Sequence, residues 1–171
     1  MKSLQEQLSI YKSVHLNKKN IATHFIGIPL IIGSIALLLT TFNFTLVLFD
    51  FKIDVTLTSV IVCCVLLYYA FQSVSLALLA VIFFGPVIYS AVLLSLSEHK
   101  LIIVALTFSI GWVLQFIGHG YEKAKPAFID DVSQLFIGPL FLVAEIYFWL
   151  GFGKELAEKI EKKAIELRKL K

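Results

Sequence analysis

The chain has 171 residues, of which 58% are hydrophobic and only 16% charged, with a formal net charge of +3. A soluble domain carries about 25% charged residues, and so small a positive charge does not make a nucleic-acid binder. Disorder, a disulfide framework and ordinary cytosolic chemistry are thereby excluded, which leaves a polytopic membrane protein.

Residues 1–24 are polar and basic, too long a lead-in for a removable signal peptide. No charged residue occurs over 25–49, a run long enough to cross a bilayer core of about 30 Å. A short loop follows, Asp50 to Asp54. Residues 55–97 are again free of formal charge and too long for one span, and Gln72-Ser73 divides them into helices of 55–71 and 74–97. The two cysteines, Cys63 and Cys64, are adjacent within this apolar stretch and read as small apolar residues. Gly85-Pro86 predicts a kink in the second helix. Glu98-His99-Lys100 turns the chain into the apolar run 101–121. A polar loop, Glu122 to Asp131, leads to 132–153, which is apolar except for Glu145 and is expected to break at Gly138-Pro139. Residues 154–171 form a charged helix with Leu156, Ile160 and Leu167 on one side, as an interfacial helix places them.

The expected fold is all-α. It is a membrane bundle of four to five helices with an amphipathic C-terminal helix, all within one domain of residues 1–171. Its parts are the polar segment 1–24, the membrane helices 25–153 and the tail 154–171. Residues 1–24 and 154–171 each carry a net +3, whereas everything between sums to −3. Basic flanks collect on the cytoplasmic side, so both termini are expected there and the number of crossings is even. The 132–153 segment is then the one that fails to cross fully. This topology puts His99 on the face opposite to the other three histidines.

Three constellations carry polar chemistry. In the first, Tyr11 and His15 pair at helical spacing, and Asn17, Asn20 and His24 share a helix face. His15 and His24 are nine residues apart and converge only if the chain turns over 16–20, where Asn20 is expected to cap the first membrane helix. A solvated lead-in is the plainer alternative. The second is Trp112, Gln115, His119 and Glu122, one stripe on an otherwise apolar helix; the alternative is a polar helix end at headgroup depth. Gly118 and Gly120 flank His119 and allow close approach. The third is Lys125, Pro126, Asp130, Asp131, Gln134, Pro139 and Glu145. Asp130 or Asp131 could simply cap the last apolar helix, but Glu145 must find a cation, a donor or a proton. Three imidazoles on one membrane face, with carboxylates near, suit ferrous iron or zinc. No compact ligand motif is present.

The stretches YKSVHLNKKNIATHFIGIP (11–29) and GWVLQFIGHGYEKAKPAFIDDVSQLFIGPLFLVAEIYFWLGFG (111–153) resemble the 2-hydroxy fatty acid dioxygenase family of membrane proteins. The likeness runs through a Tyr before HxNxxNxxxH, then QFxGH, an acidic residue, a basic-Pro-Ala element, a Gln, a Pro and a Glu. It implies a ferrous iron, molecular oxygen and a 2-hydroxy fatty acid shortened by one carbon with release of CO2. His15, His24 and His119 are the implied metal ligands and catalytic residues. Asn17, Asn20, Gln115, Glu122, Asp130, Gln134 and Glu145 would support them or add a ligand, and Tyr11, Lys123 and Lys125 would attract the substrate. The protein would be integral to a membrane, endoplasmic reticulum in a eukaryote or inner membrane in a bacterium, with its site at the cytoplasmic face. The alternatives are a zinc-dependent membrane hydrolase and a non-catalytic lipid-binding or transport protein. Diiron hydroxylases need about twice as many histidines as the four here. No inverted repeat supports a transporter.

Overall fold

The computed structural model describes residues 2–49 and 51–170. In chain order these form α1 (Leu4–Lys12), α2 (Lys18–Leu39), β1 (Asn43–Leu48), β2 (Phe51–Thr56), α3 (Leu57–Gln72), α4 (Val74–Leu94), α5 (Lys100–Glu122), α6 (Gln134–Trp149) and α7 (Lys154–Lys169), with a 3₁₀ turn over Ala127–Ile129. The mainly helical bundle agrees with the reading of the sequence. Helix limits follow local capping chemistry. Ser3 accepts from the Glu6 N–H, Asn17 from that of Lys19, and Thr56 and Ser59 cap each other reciprocally. Ser73 ends α3 and caps α4, so the division expected at Gln72-Ser73 is where the chain breaks.

Among the described residues three helices, α2, α4 and α5, are long and apolar enough to cross a membrane; α3 and α6 are apolar but shorter. Two boundaries differ from expectation. The run 25–49 is not one helix: α2 begins earlier, at Lys18, and ends at Leu39, and residues from Asn43 pair as a hairpin with β2. The β-branched and aromatic residues of Asn43–Leu48 favour the strand, and a charge-free run does not distinguish the two. Of the expected loop, Asp50 lies outside the described residues, and the remainder belongs to β2. The register, Asn43 opposite Thr56 to Leu48 opposite Phe51, leaves Phe44, Leu46 and Ile53 about half exposed.

The helix α6 runs unbroken through Pro139. Its 16 residues span about 24 Å, short of a bilayer core. Leu140, Phe141, Leu142 and Val143 are all at most 2% exposed, so α6 is a central post packed by α1 and α4. The apolar side of α7 lies on α1, with Ile160 and Ala164 buried, and is therefore covered by protein.

The most extensive helix contact joins α2 to α5. It depends on glycine, because a Cβ at Gly111 would lie 2.7 Å from Ile31 Cγ1 and 2.9 Å from the Gly27 carbonyl oxygen. Close approach through small residues is how membrane helices gain packing without a hydrophobic drive. Gly111→Ala is expected to cost about 1–3 kcal/mol by forcing the helices apart. Gly120→Ala, where an added Cβ meets nothing within 4 Å, is the control. Equal unfolding temperatures of the two variants in detergent would refute this account of the contact.

Candidate metal centre

The chain turns between α1 and α2 over Ser13 to Asn17, and this brings two histidines nine residues apart into contact. His15 Nδ1 donates to the Tyr11 carbonyl at 2.6 Å, and His24 Nδ1 donates to the Asn20 carbonyl at 2.9 Å. A carbonyl can only accept, so both rings are fixed as Nδ1–H tautomers and each Nε2 keeps its lone pair. Those two Nε2 atoms face each other at 3.0 Å. The third ring, His119 from the last turn of α5, is centred 4.8 Å from His15 and 5.1 Å from His24. Among the described residues its buried Nδ1 makes no hydrogen bond of good geometry. One ring nitrogen from each histidine lies within 4.8 Å of the others, and all three residues are buried.

Two lone pairs opposed in a buried space need something positive between them. A proton is disfavoured, because burial, and then the neighbouring His24, hold His15 well below the ordinary imidazole range. A divalent cation meets the same need without protonating a ring. The 3.0 Å separation is close to that of adjacent nitrogens around a metal with bonds of about 2.1 Å. The carbonyl partners that orient both rings are the outer support such ligands ordinarily have. Tyr11 adds a second constraint by stacking on His15, with ring centroids 4.0 Å apart and planes 1° from parallel. Burial pushes the Tyr11 hydroxyl up, so it stays protonated.

Glu122 holds the assembly from below. Its carboxylate accepts from the Leu16 N–H at 3.1 Å, the Asn17 N–H at 2.8 Å and the Asn20 side chain at 3.2 Å. It thus orients the backbone that carries His15, and no imidazole. Asn17, rather than Asn20, caps α2, and its side-chain amide donates to the Tyr121 carbonyl. Asn20 lies inside the helix, fully buried, donating to Val14 and to Glu122. Gly118 gives His24 room: a Cβ there would collide with Thr23 Oγ1 and Asn20 Oδ1 and come within 3.2 Å of His24 Nδ1.

Other expected participants lie elsewhere. Glu145 pairs with Lys12 at 2.6 Å, which supplies the cation its apolar surroundings demand. Asp130 pairs with Lys125 on the surface, and Asp131 caps the approach to α6 through the Ser133 N–H and hydroxyl. Lys123 and Lys125 are exposed and are not among the residues that line the cavity described below. His99 lies exposed in the turn before α5, at the opposite end of that helix from His119.

One participant was not foreseen. Arg168, near the end of α7, donates to the Glu122 carbonyl at 2.7 Å and to the Ser13 carbonyl at 3.4 Å, and lies 3.8 Å from the Glu122 carboxylate. The signal was present: this is the sole arginine among fourteen lysines, on a tail otherwise read as interfacial.

A cavity of about 550 Å³ opens from the histidines. Along α2 it is lined by His24, Ile28, Ile31, Ile35 and Leu39, one face of the helix extending about 22 Å. Its walls are almost wholly apolar. Besides the histidines, the polar exceptions are Tyr11, Thr58, Tyr69, Trp112, Gln115 and Gln134. The arrangement is a buried three-nitrogen cluster opening onto a long apolar slot.

Comparison with known proteins fits this geometry. A family model described as 2-hydroxy-palmitic acid dioxygenase Mpo1-like matches residues 1–150. The 2-hydroxy-palmitic acid dioxygenase MPO1 of Saccharomyces cerevisiae is 34% identical over 169 residues, covering 92% of this chain and 87% of the yeast protein. No solved structure matches the chain.

Proposed function

The chain belongs to the Mpo1-like family, and from that premise we propose that it is an iron(II)-dependent dioxygenase that shortens 2-hydroxy fatty acids by one carbon. The overall change, R–CH(OH)–COOH + O2 → R–COOH + CO2 + H2O, balances without an external reductant. The observation that carries the reading is the pair of facing lone pairs on His15 and His24, completed by the unpartnered His119 nitrogen.

His15, His24 and His119 would hold the metal through neutral imidazoles. Bound there, ferrous iron would supply activation of oxygen beside the hydroxyl and carboxylate of the substrate. The chain's own part is binding and exclusion. The Tyr11 and Asn20 carbonyls keep the donor nitrogens free, and Tyr11 stacked on His15 shuts water from that side. The slot along α2 accepts an extended acyl chain, while Glu122 and Arg168 fix the turn from which His15 projects.

The protein works as one membrane-embedded, multi-pass unit with its site toward the cytoplasm. Both basic flanks, 1–24 and 154–171, meet around the histidine end of the bundle, which supports that orientation. The deciding experiment is oxygen uptake by detergent-purified protein given 2-hydroxypalmitate, with metal content and products measured on the same sample. Stoichiometric iron, uptake dependent on the acid and a fifteen-carbon acid product are expected. Zinc in place of iron with no oxygen uptake would overturn the reading in favour of a hydrolase. Neither metal nor turnover would favour a lipid-binding protein.

A further inference from the structure

Two glutamines bordering the metal cluster have no role in the fold described so far. Gln134, the first residue of α6, is 1% exposed, and both atoms of its amide, Nε2 and Oε1, are buried without a hydrogen-bond partner among the described residues. Gln115, on α5 one turn before His119, is 6% exposed, and its Nε2 is likewise unpartnered. Both line the cavity whose walls are otherwise nearly all apolar. Buried amides are almost always paired within the protein, because an unmade hydrogen bond carries the full loss of hydration. Three such atoms in one cavity indicate a partner that comes from outside the chain.

Their positions say which part of a ligand they meet. Gln115 Nε2 lies against Gly27, one turn beyond His24, where an added Cβ would stand 2.5 Å from it. Gln134 precedes Gly138 by one turn, and a Cβ at Gly138 would stand 2.9 Å from the Tyr11 hydroxyl, whose ring stacks on His15. Gln115 thus borders the histidine end of the slot from α5, and Gln134 lines the same cavity from α6, on the helix face that Gly138 turns toward Tyr11. We propose that Gln115 and Gln134 recognise the polar head of the substrate, with the amide N–H groups donating to its carboxylate and Gln134 Oε1 accepting from its 2-hydroxyl. This assignment rests on the reading of the chain as a 2-hydroxy fatty acid enzyme.

The donor and acceptor inventory separates the two roles. A carboxylate only accepts, so a fatty acid lacking the 2-hydroxyl can satisfy both Nε2 groups but leaves Gln134 Oε1 unpaired. Selection for the hydroxyl therefore resides in one atom of Gln134. A site built to pair a hydroxyl rejects the analogue that lacks it, because its own buried group is left bare.

The test is equilibrium binding of 2-hydroxypalmitate and of palmitate to the iron-loaded, detergent-solubilised protein under anaerobic conditions. Binding is read from the fluorescence of Trp112, which lines the cavity, and Gln134→Met and Gln115→Met are the near-isosteric variants. Wild-type protein should prefer the 2-hydroxy acid. Gln134→Met should lose about 10- to 100-fold of that preference, whereas Gln115→Met should weaken both acids alike. Both variants should retain their iron and, without ligand, unfold at or above the wild-type temperature, since each removes unsatisfied polar atoms. An unchanged preference in Gln134→Met overturns the assignment. So does loss of iron, which would make the amide a metal ligand, or loss of fold, which would make it structural. Wild-type protein that binds neither acid, or does not distinguish them, would instead overturn the dioxygenase reading itself.

Discussion

His24→Ala is expected to leave the purified protein without bound metal and without turnover, the largest effect of any single change considered. Removing an outer support of a metal ligand costs about 10- to 100-fold in affinity, and removing a ligand should exceed the upper end of that range. The effect on the metal-free protein runs the other way. His24 Nε2 opposes His15 Nε2 at 3.0 Å, so replacing His24 with leucine eliminates one of two buried lone pairs that repel each other. Metal-free His24→Leu should therefore unfold at the same temperature as metal-free wild type or higher, while gaining nothing from added iron(II). Wild type should be stabilised by the metal through its binding to the folded state alone. His99→Ala, at the far end of α5, should behave as wild type in both assays. Full iron content in His24→Ala would dispose of the proposed ligand set.

Glu122→Ala is the second large effect, and it acts without touching the metal. The carboxylate is 3% exposed and accepts two backbone N–H groups and one side-chain amide, with Arg168 closing the outer side. Truncation strands those donors and leaves a half-buried guanidinium with a weaker anchor. The expected destabilisation is about 3 kcal/mol, in the range for breaking a buried charged pair from one side. Iron affinity should fall as well, by about 10- to 100-fold, since Leu16 and Asn17 directly follow His15. Glu122→Gln keeps the shape and one acceptor and should lose less on both counts. Chemical unfolding followed by metal titration separates the two losses, and wild-type values for Glu122→Ala in both would show that the turn holds itself.

The helices and the histidines were legible for different reasons. Residues 55–97 could be cut at Gln72-Ser73 because a serine between two apolar runs both ends one helix and starts the next. His15, His24 and His119 stood out because imidazoles are scarce and expensive in so apolar a chain. Their convergence through a turn was a condition that spacing alone imposed, and the 3.0 Å contact meets it, with the turn at Ser13 to Asn17 rather than at 16–20 because Asn17 caps the start of α2. The hairpin was not legible: Asn43 to Leu48 continues a charge-free run, and hydropathy cannot tell a strand from the end of a span. Nor could a contact between Arg168 and Ser13, 155 positions apart, be read from local pattern. Glu122 and Glu145 carry the same expected role of supporting the histidines. Only packing assigns one to a backbone turn and the other to Lys12.

The contacts of Arg168 also set an order of events during synthesis. The turn bearing His15 is made well before one of its clasps, because Arg168 follows Ser13 by 155 positions. At about 5–20 residues per second, some ten seconds or more separate translation of the two. Until α5 is made the turn after α1 has neither α5 nor α7 to close against, and afterwards it still waits for α7. The proposed metal site is then complete only once α7 has been made, and a ribosome-bound intermediate halted before α7 should hold iron less firmly than the released protein.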